Sequence, residues 1–156
     1  MKCIFCKNNS DNSRSIEHII PESLGNPDHV LPAGIVCDNC NNYFGRKVEK
    51  PLLETPYFKH ACFLSCITNK KGNPRAITGI LGCKQSPIMV EMFSKTGKNC
   101  GSLCPAHEKD GEKFMNSLRK LKKFAVRFPF PKEPEQYLMS RFICKVALEA
   151  LVLRVI

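Results

Sequence analysis

The hydrophobic pattern changes period along the chain, and each change marks an element. From Ser15 to Ile20, β-branched residues surround the polar pair Glu17-His18 and Pro21 ends the run, which predicts a short strand. Leu24-Gly25-Asn26-Pro27-Asp28 is a turn signal, and Val30-Leu31 with Ile35-Val36 supply a return strand up to Cys37. A helix is expected from Cys40 or Asn41, with Phe44 and Val48 four apart on its buried face and Pro51 near its end. The first fifty or so residues therefore read as a ββα unit.

Downstream, Phe58, Ala61, Cys62 and Ser65 line one face of a helix between Tyr57 and Thr68, and Asn69 to Pro74 form a turn with Lys70 and Lys71 at its tip. Ala76 to Leu81 and Ile88 to Phe93 read as strands of a small antiparallel sheet. Residues 112–127 mix Lys113, Arg119, Lys120, Lys122, Lys123 and Arg127 with Phe114, Met115, Leu118, Leu121 and Phe124. This predicts a basic amphipathic helix whose apolar stripe docks and whose charged face either follows a nucleic-acid backbone or is simply solvated. Phe128-Pro129-Phe130-Pro131 makes an extended linker. From Pro134, Leu138, Phe142, Val146 and Ala150 recur every four residues of a last helix, which assigns Arg141, Lys145 and Glu149 to its wet face.

The cysteines change this picture. Cys3-x-x-Cys6 and Cys37-x-x-Cys40 bracket the two strands. Two thiolates from one tight turn can share an ion, and two such turns complete a tetrahedral structural zinc site. The alternatives are four separate buried thiols or two disulfides. Cys100, Cys104 and His107, with Cys83 as a fourth, suggest a second metal site on a less regular spacing, while Cys62, Cys66 and Cys144 read as packing residues. The fold class expected is α+β, with a zinc-clipped ββα unit over 1–52 and an accessory region over 53–156 that holds the small sheet and the later helices.

Charge points to the partner. Lys plus Arg number 24 against 14 Asp plus Glu, a net charge of +10 over 156 residues, which suits a polyanion. Met1-Lys2 leads into Cys3 with no apolar signal segment, and no apolar run reaches about eighteen residues, so a reducing cytoplasm and no membrane partner are expected.

Within the clip, Glu17 is the residue that needs explaining, because a carboxylate on a buried strand requires a cation or a hydrogen-bond donor. Glu17-His18-Ile19-Ile20-Pro21-Glu22-Ser23-Leu24-Gly25, followed by Cys37-Asp38-Asn39-Cys40-Asn41-Asn42-Tyr43-Phe44-Gly45, resembles the HNH endonucleases of the ββα-metal class, most closely a bacterial and phage subgroup. The resemblance implies that His18 is the general base and that Glu17 and Asn41 ligate a catalytic Mg²⁺ or Mn²⁺. The middle Asn of the family, usually about five residues before the third cysteine, is replaced here by Pro32, with Ala33 and Gly34 beside it; Asn26 and Asn39 are its candidate substitutes. The residues suit the chemistry independently: phosphodiester hydrolysis needs a base for water and a hard cation, and a neutral imidazole, a carboxylate and an amide oxygen supply them.

The expected function is metal-dependent hydrolysis of DNA, in a setting such as restriction or phage defence, with Lys113, Arg119, Lys120, Lys123 and Arg127 on the phosphates. A second reading is a zinc module that binds nucleic acid without cutting it. RNA is a further candidate substrate, and a homodimer would ease double-strand cleavage.

Overall fold

The computed structural model describes residues 1–69, 71–82, 86–95, 98–120 and 125–156. Cys83, Lys70, Leu121, Lys122, Lys123 and Phe124, singled out above, lie outside them. The chain is α+β and divides into two compact units, one formed by Met1–Phe58 with Glu133–Ile156 and the other by Lys59–Lys132. This grouping differs from a boundary at residue 52, because the last helix joins the N-terminal unit.

In the first unit, β1 (Glu17–His18) and β2 (Val30–Leu31) pair antiparallel, Glu17 opposite Leu31 and His18 opposite Val30. Ile35 and Val36 are buried but not paired as a strand: they lie in the turn that leads to Cys37. Helix α1 (Asp38–Phe44) runs on through a π-helical stretch, Gly45–Glu49, into α2 (Lys50–Leu53), so the helical run passes Pro51 rather than ending at it. Helix α5 (Gln136–Val155) packs Val146, Ala150 and Val152 against a core of Cys3, Ile19, Leu31, Ile35, Val36 and Cys37. Its Leu138, Met139, Phe142 and Val146 pack with Val48 and Leu52.

The assignment of Lys145 and Glu149 to a wet face is overturned. Lys145 is 1% exposed and Glu149 is fully buried. The four-residue repeat located an apolar stripe correctly, but it could not show that carboxylates of other elements face the neighbouring stripe of α5. Arg141 is part-exposed, its guanidinium 5.4 Å from the ring centres of both Tyr43 and Tyr137. Cys144, expected to pack, is exposed.

In the second unit, β3 (Arg75–Leu81), β4 (Ser86–Lys95), β5 (Lys98–Pro105) and β6 (Val126–Arg127) form an antiparallel sheet in the order β5-β4-β3-β6. Strand β5 is rich in small and polar residues, so its pattern carries no strand signal. Phe63 of α3 (Pro56–Leu64) and Phe114 of α4 (Gly111–Arg119) join Leu81, Ile88 and Val90 in the core of this unit. The basic helix is thus shorter than 112–127, and Arg127 lies on a strand. Of its expected apolar stripe, Phe114 and Leu118 pack, while Met115 is exposed. No helix among the described residues is long and apolar enough to cross a membrane.

Candidate metal and nuclease site

The clip is built from two turns brought together by the core of the first unit. In the first, Cys3 N–H donates to Asn8 O at 2.9 Å and Lys7 N–H to Cys3 O at 3.0 Å, and Lys7 adopts a left-handed φ of 64°. In the second, Cys37 caps α1 with extended backbone and its N–H donates to Cys3 Sγ at 3.4 Å. The four sulfurs of Cys3, Cys6, Cys37 and Cys40 lie within 4.8 Å of one another, with Cys6 and Cys37 3.6 Å apart. Zinc–sulfur bonds of about 2.3 Å in a tetrahedron place sulfurs roughly 3.8 Å apart, so the cluster has the donor set and size for zinc. Burial pushes the Cys37 and Cys40 thiols up; at Cys3 it is outweighed by N–H groups of Cys37, Cys6 and Phe5, which hold that thiol at about 6. Without a cation the cluster tolerates few thiolates, and a bound divalent metal is what would let all four ionise.

Asp38, at the start of α1, ties the clip to the segment before β1. Its Oδ1 accepts from the N–H groups of Arg14 at 3.0 Å and Ser15 at 2.9 Å, and from Ser15 Oγ. These bonds, those to Ser15 foremost, hold its carboxyl below the usual range. One turn later, Asn41 Nδ2 donates to Ile16 O at 3.1 Å, which sets the amide beside β1. His18 is half-buried, and its Nδ1 is buried without a hydrogen-bond partner. Asn41 and the Glu17-His18 pair are thereby brought to neighbouring elements of one unit.

Glu17 is 7% exposed, and its Oε1 lies 2.6 Å from Lys145 Nζ. The same ammonium is 2.7 Å from Glu49 Oε1, 3.0 Å from Glu149 Oε2, and donates to His18 O at 3.0 Å. Glu17 Oε2 and both oxygens of Glu149 lack a hydrogen-bond partner. Burial raises the Glu17 carboxyl against the pull of Lys145, and burial with the nearby Glu17 charge pushes Glu149 up to about 8. Lys145 is raised in turn: its carboxylate partners outweigh the burial that opposes its charge. Glu49, Lys145 and Glu149 were missed by sequence reasoning. The only available signal was the Lys145–Glu149 pair four apart on an otherwise apolar helix.

The loop where the middle Asn is absent is held another way. Ser10 Oγ donates to Gly34 O at 2.5 Å, and Gly34 takes a φ of 86°. Asn26 Oδ1 meets His29 Nδ1 at 2.7 Å, and His29 O accepts from Ile19 N–H at 3.0 Å, next to His18.

In the second unit, Lys113, Arg119, Lys120 and Arg127 are all exposed, and Lys123 lies outside the described residues. Cys100, Cys104 and His107 do not form a metal-type cluster; among the described residues the four clip cysteines make the one such group.

Residues 3–56 match the family model of the HNH endonucleases, a segment of roughly a third of the chain. No curated protein matches the chain, and no solved structure does.

Proposed function

We propose that this protein is a metal-dependent endonuclease that hydrolyses phosphodiester bonds in DNA, working from an HNH segment clipped by structural zinc. The observation that carries the reading is the setting of β1 within the matched segment: His18 with an unpartnered Nδ1, Glu17 with an unpartnered Oε2, and Asn41 hydrogen-bonded to the carbonyl of Ile16, the residue before them.

Glu17 Oε2 and the Asn41 amide oxygen are hard donors suited to Mg²⁺ or Mn²⁺. When bound, such an ion supplies charge stabilisation at the phosphate and the leaving oxygen. The rest falls to the chain. The His18 imidazole accepts a proton from the attacking water, the general-base role that histidine fills in hydrolysis. Pairing with β2 and the bond from Lys145 to its carbonyl fix the His18 backbone. In the second unit, exposed Lys113, Arg119, Lys120 and Arg127 are cations available to phosphates, in a protein of net charge +10.

A zinc module that only binds nucleic acid would share the clip and the charge but would have no use for Glu17, His18 and Asn41. Cleavage assays with Asn41→Ala and Glu17→Gln separate the two. Both variants should bind DNA as the wild type does and lose Mg²⁺- or Mn²⁺-dependent cleavage; undiminished cleavage in either removes that residue from the mechanism.

A further inference from the structure

An ammonium group has three protons to donate. Besides Glu149 Oε2 at 3.0 Å, Lys145 faces three close acceptors: Glu17 Oε1 at 2.6 Å, Glu49 Oε1 at 2.7 Å and His18 O at 3.0 Å. Two of them belong to the adjacent residues of β1 that the nuclease reading uses as metal ligand and base. The third comes from the π-helical stretch after α1, whose altered winding sets where Glu49 points.

Such a lysine is costly. Taking an ammonium and its carboxylate partners out of water costs several kcal/mol per ion, and an apolar side chain of similar size would fill the same volume. Packing therefore does not require a charge at position 145. The geometry at Glu17 suggests what does: Lys145 holds Oε1, and Oε2 is left buried without a partner. A carboxylate fixed through one oxygen, with no hydrogen-bond partner at the other, is how an outer partner orients a metal ligand.

We propose that Lys145, on α5, is a positioning residue of the nuclease site: its ammonium fixes the Glu17 carboxylate and the His18 main chain so that Glu17 Oε2 is presented to the divalent cation. The inference rests on the nuclease reading. It means that the functional site extends beyond residues 3–56 and is completed by the last helix of the chain.

The test uses the full chain. Lys145→Met alone strands buried carboxylates and threatens folding. The double variant Lys145→Met/Glu149→Leu removes the ammonium together with one of its carboxyl partners, a replacement that buried ion pairs often tolerate. Lys145→Arg keeps the charge. Mn²⁺ affinity is measured by electron paramagnetic resonance on protein whose zinc content and melting are verified, alongside the Mn²⁺ concentration for half-maximal plasmid nicking. The double variant should weaken both by about tenfold or more, as loss of an outer partner does. Lys145→Arg should recover part of that loss, and Glu17→Gln should weaken Mn²⁺ similarly.

Unchanged Mn²⁺ affinity in a folded double variant overturns the proposal and leaves Lys145 a structural residue. Tighter Mn²⁺ binding or faster nicking also overturns it, since the ammonium would then be opposing the cation. If the wild type cuts and the double variant cuts with the same Mn²⁺ requirement, the proposal falls and the nuclease reading stands. If the wild type binds Mn²⁺ through Glu17 but cuts no nucleic acid, the nuclease reading falls and the affinities alone decide the role of Lys145. A wild type that binds no Mn²⁺ overturns both.

Discussion

Glu17 Oε1 lies 2.6 Å from Lys145 Nζ, which joins a two-residue strand near the start of the chain to the middle of its last helix. The pair is almost fully removed from water, and Glu49 and Glu149 share the same ammonium. Three carboxyl groups surround one cation, and burial with the nearby Glu17 charge pushes Glu149 up to about 8.

Removing the cation alone should therefore be severe. Lys145→Met should cost about 3–5 kcal/mol, the range for breaking a buried pair from one side. Urea unfolding measures it. A loss under about 1 kcal/mol, in the range of exposed ion pairs, would show that the cage is hydrated in solution.

Glu149 sets a pH dependence. Its folded pKa is raised from 4.5 to about 8, so between those values the folded state binds a proton that the unfolded state has released. Its contribution makes stability fall as pH rises through that window, and Glu149→Gln should flatten this fall. Denaturation curves for both proteins at pH 5, 6, 7 and 8 check the sign; parallel curves would mean that Glu149 titrates normally.

The cysteine cluster predicts one zinc per chain, countable by native mass spectrometry. Structural zinc contributes on the order of 10 kcal/mol to the segment it closes, so chelation or Cys40→Ser should unfold the N-terminal unit. Retention of its circular-dichroism signal after zinc is removed would contradict the clip.

Gly34 should resist substitution. Its φ is 86°, and a Cβ there would stand 3.3 Å from Ser10 O. Gly34→Ala should cost about 1–2 kcal/mol through the left-handed conformation alone, and thermal melts will show it.

Much of the first unit is legible in the sequence, because its signals are local. The Cys-x-x-Cys turns, the strand that carries Glu17 and His18, the return at Val30-Leu31 and the helix after Cys37 each follow from neighbouring residues. Ile35 and Val36 look like strand and are buried turn residues, since burial alone does not fix backbone pairing. Lys145 and Glu149 are hidden for a different reason. A charged residue on an apolar helix reads as solvent-facing unless its partners are known, and Glu17 and Glu49 are distant in sequence. Strand β5 is invisible because Lys98–Pro105 owes its pairing to β4 rather than to its own propensity.

The role proposed for His18 is to activate water for phosphodiester hydrolysis. Nicking of supercoiled plasmid with Mg²⁺, Mn²⁺ or EDTA, comparing the wild type with His18→Ala, tests it directly. The wild type should nick with either metal, and EDTA or the substitution should abolish nicking while zinc content and DNA binding are retained. A His18→Ala protein that nicks as well as the wild type, or a wild type that binds DNA and leaves it intact with every metal, would contradict it.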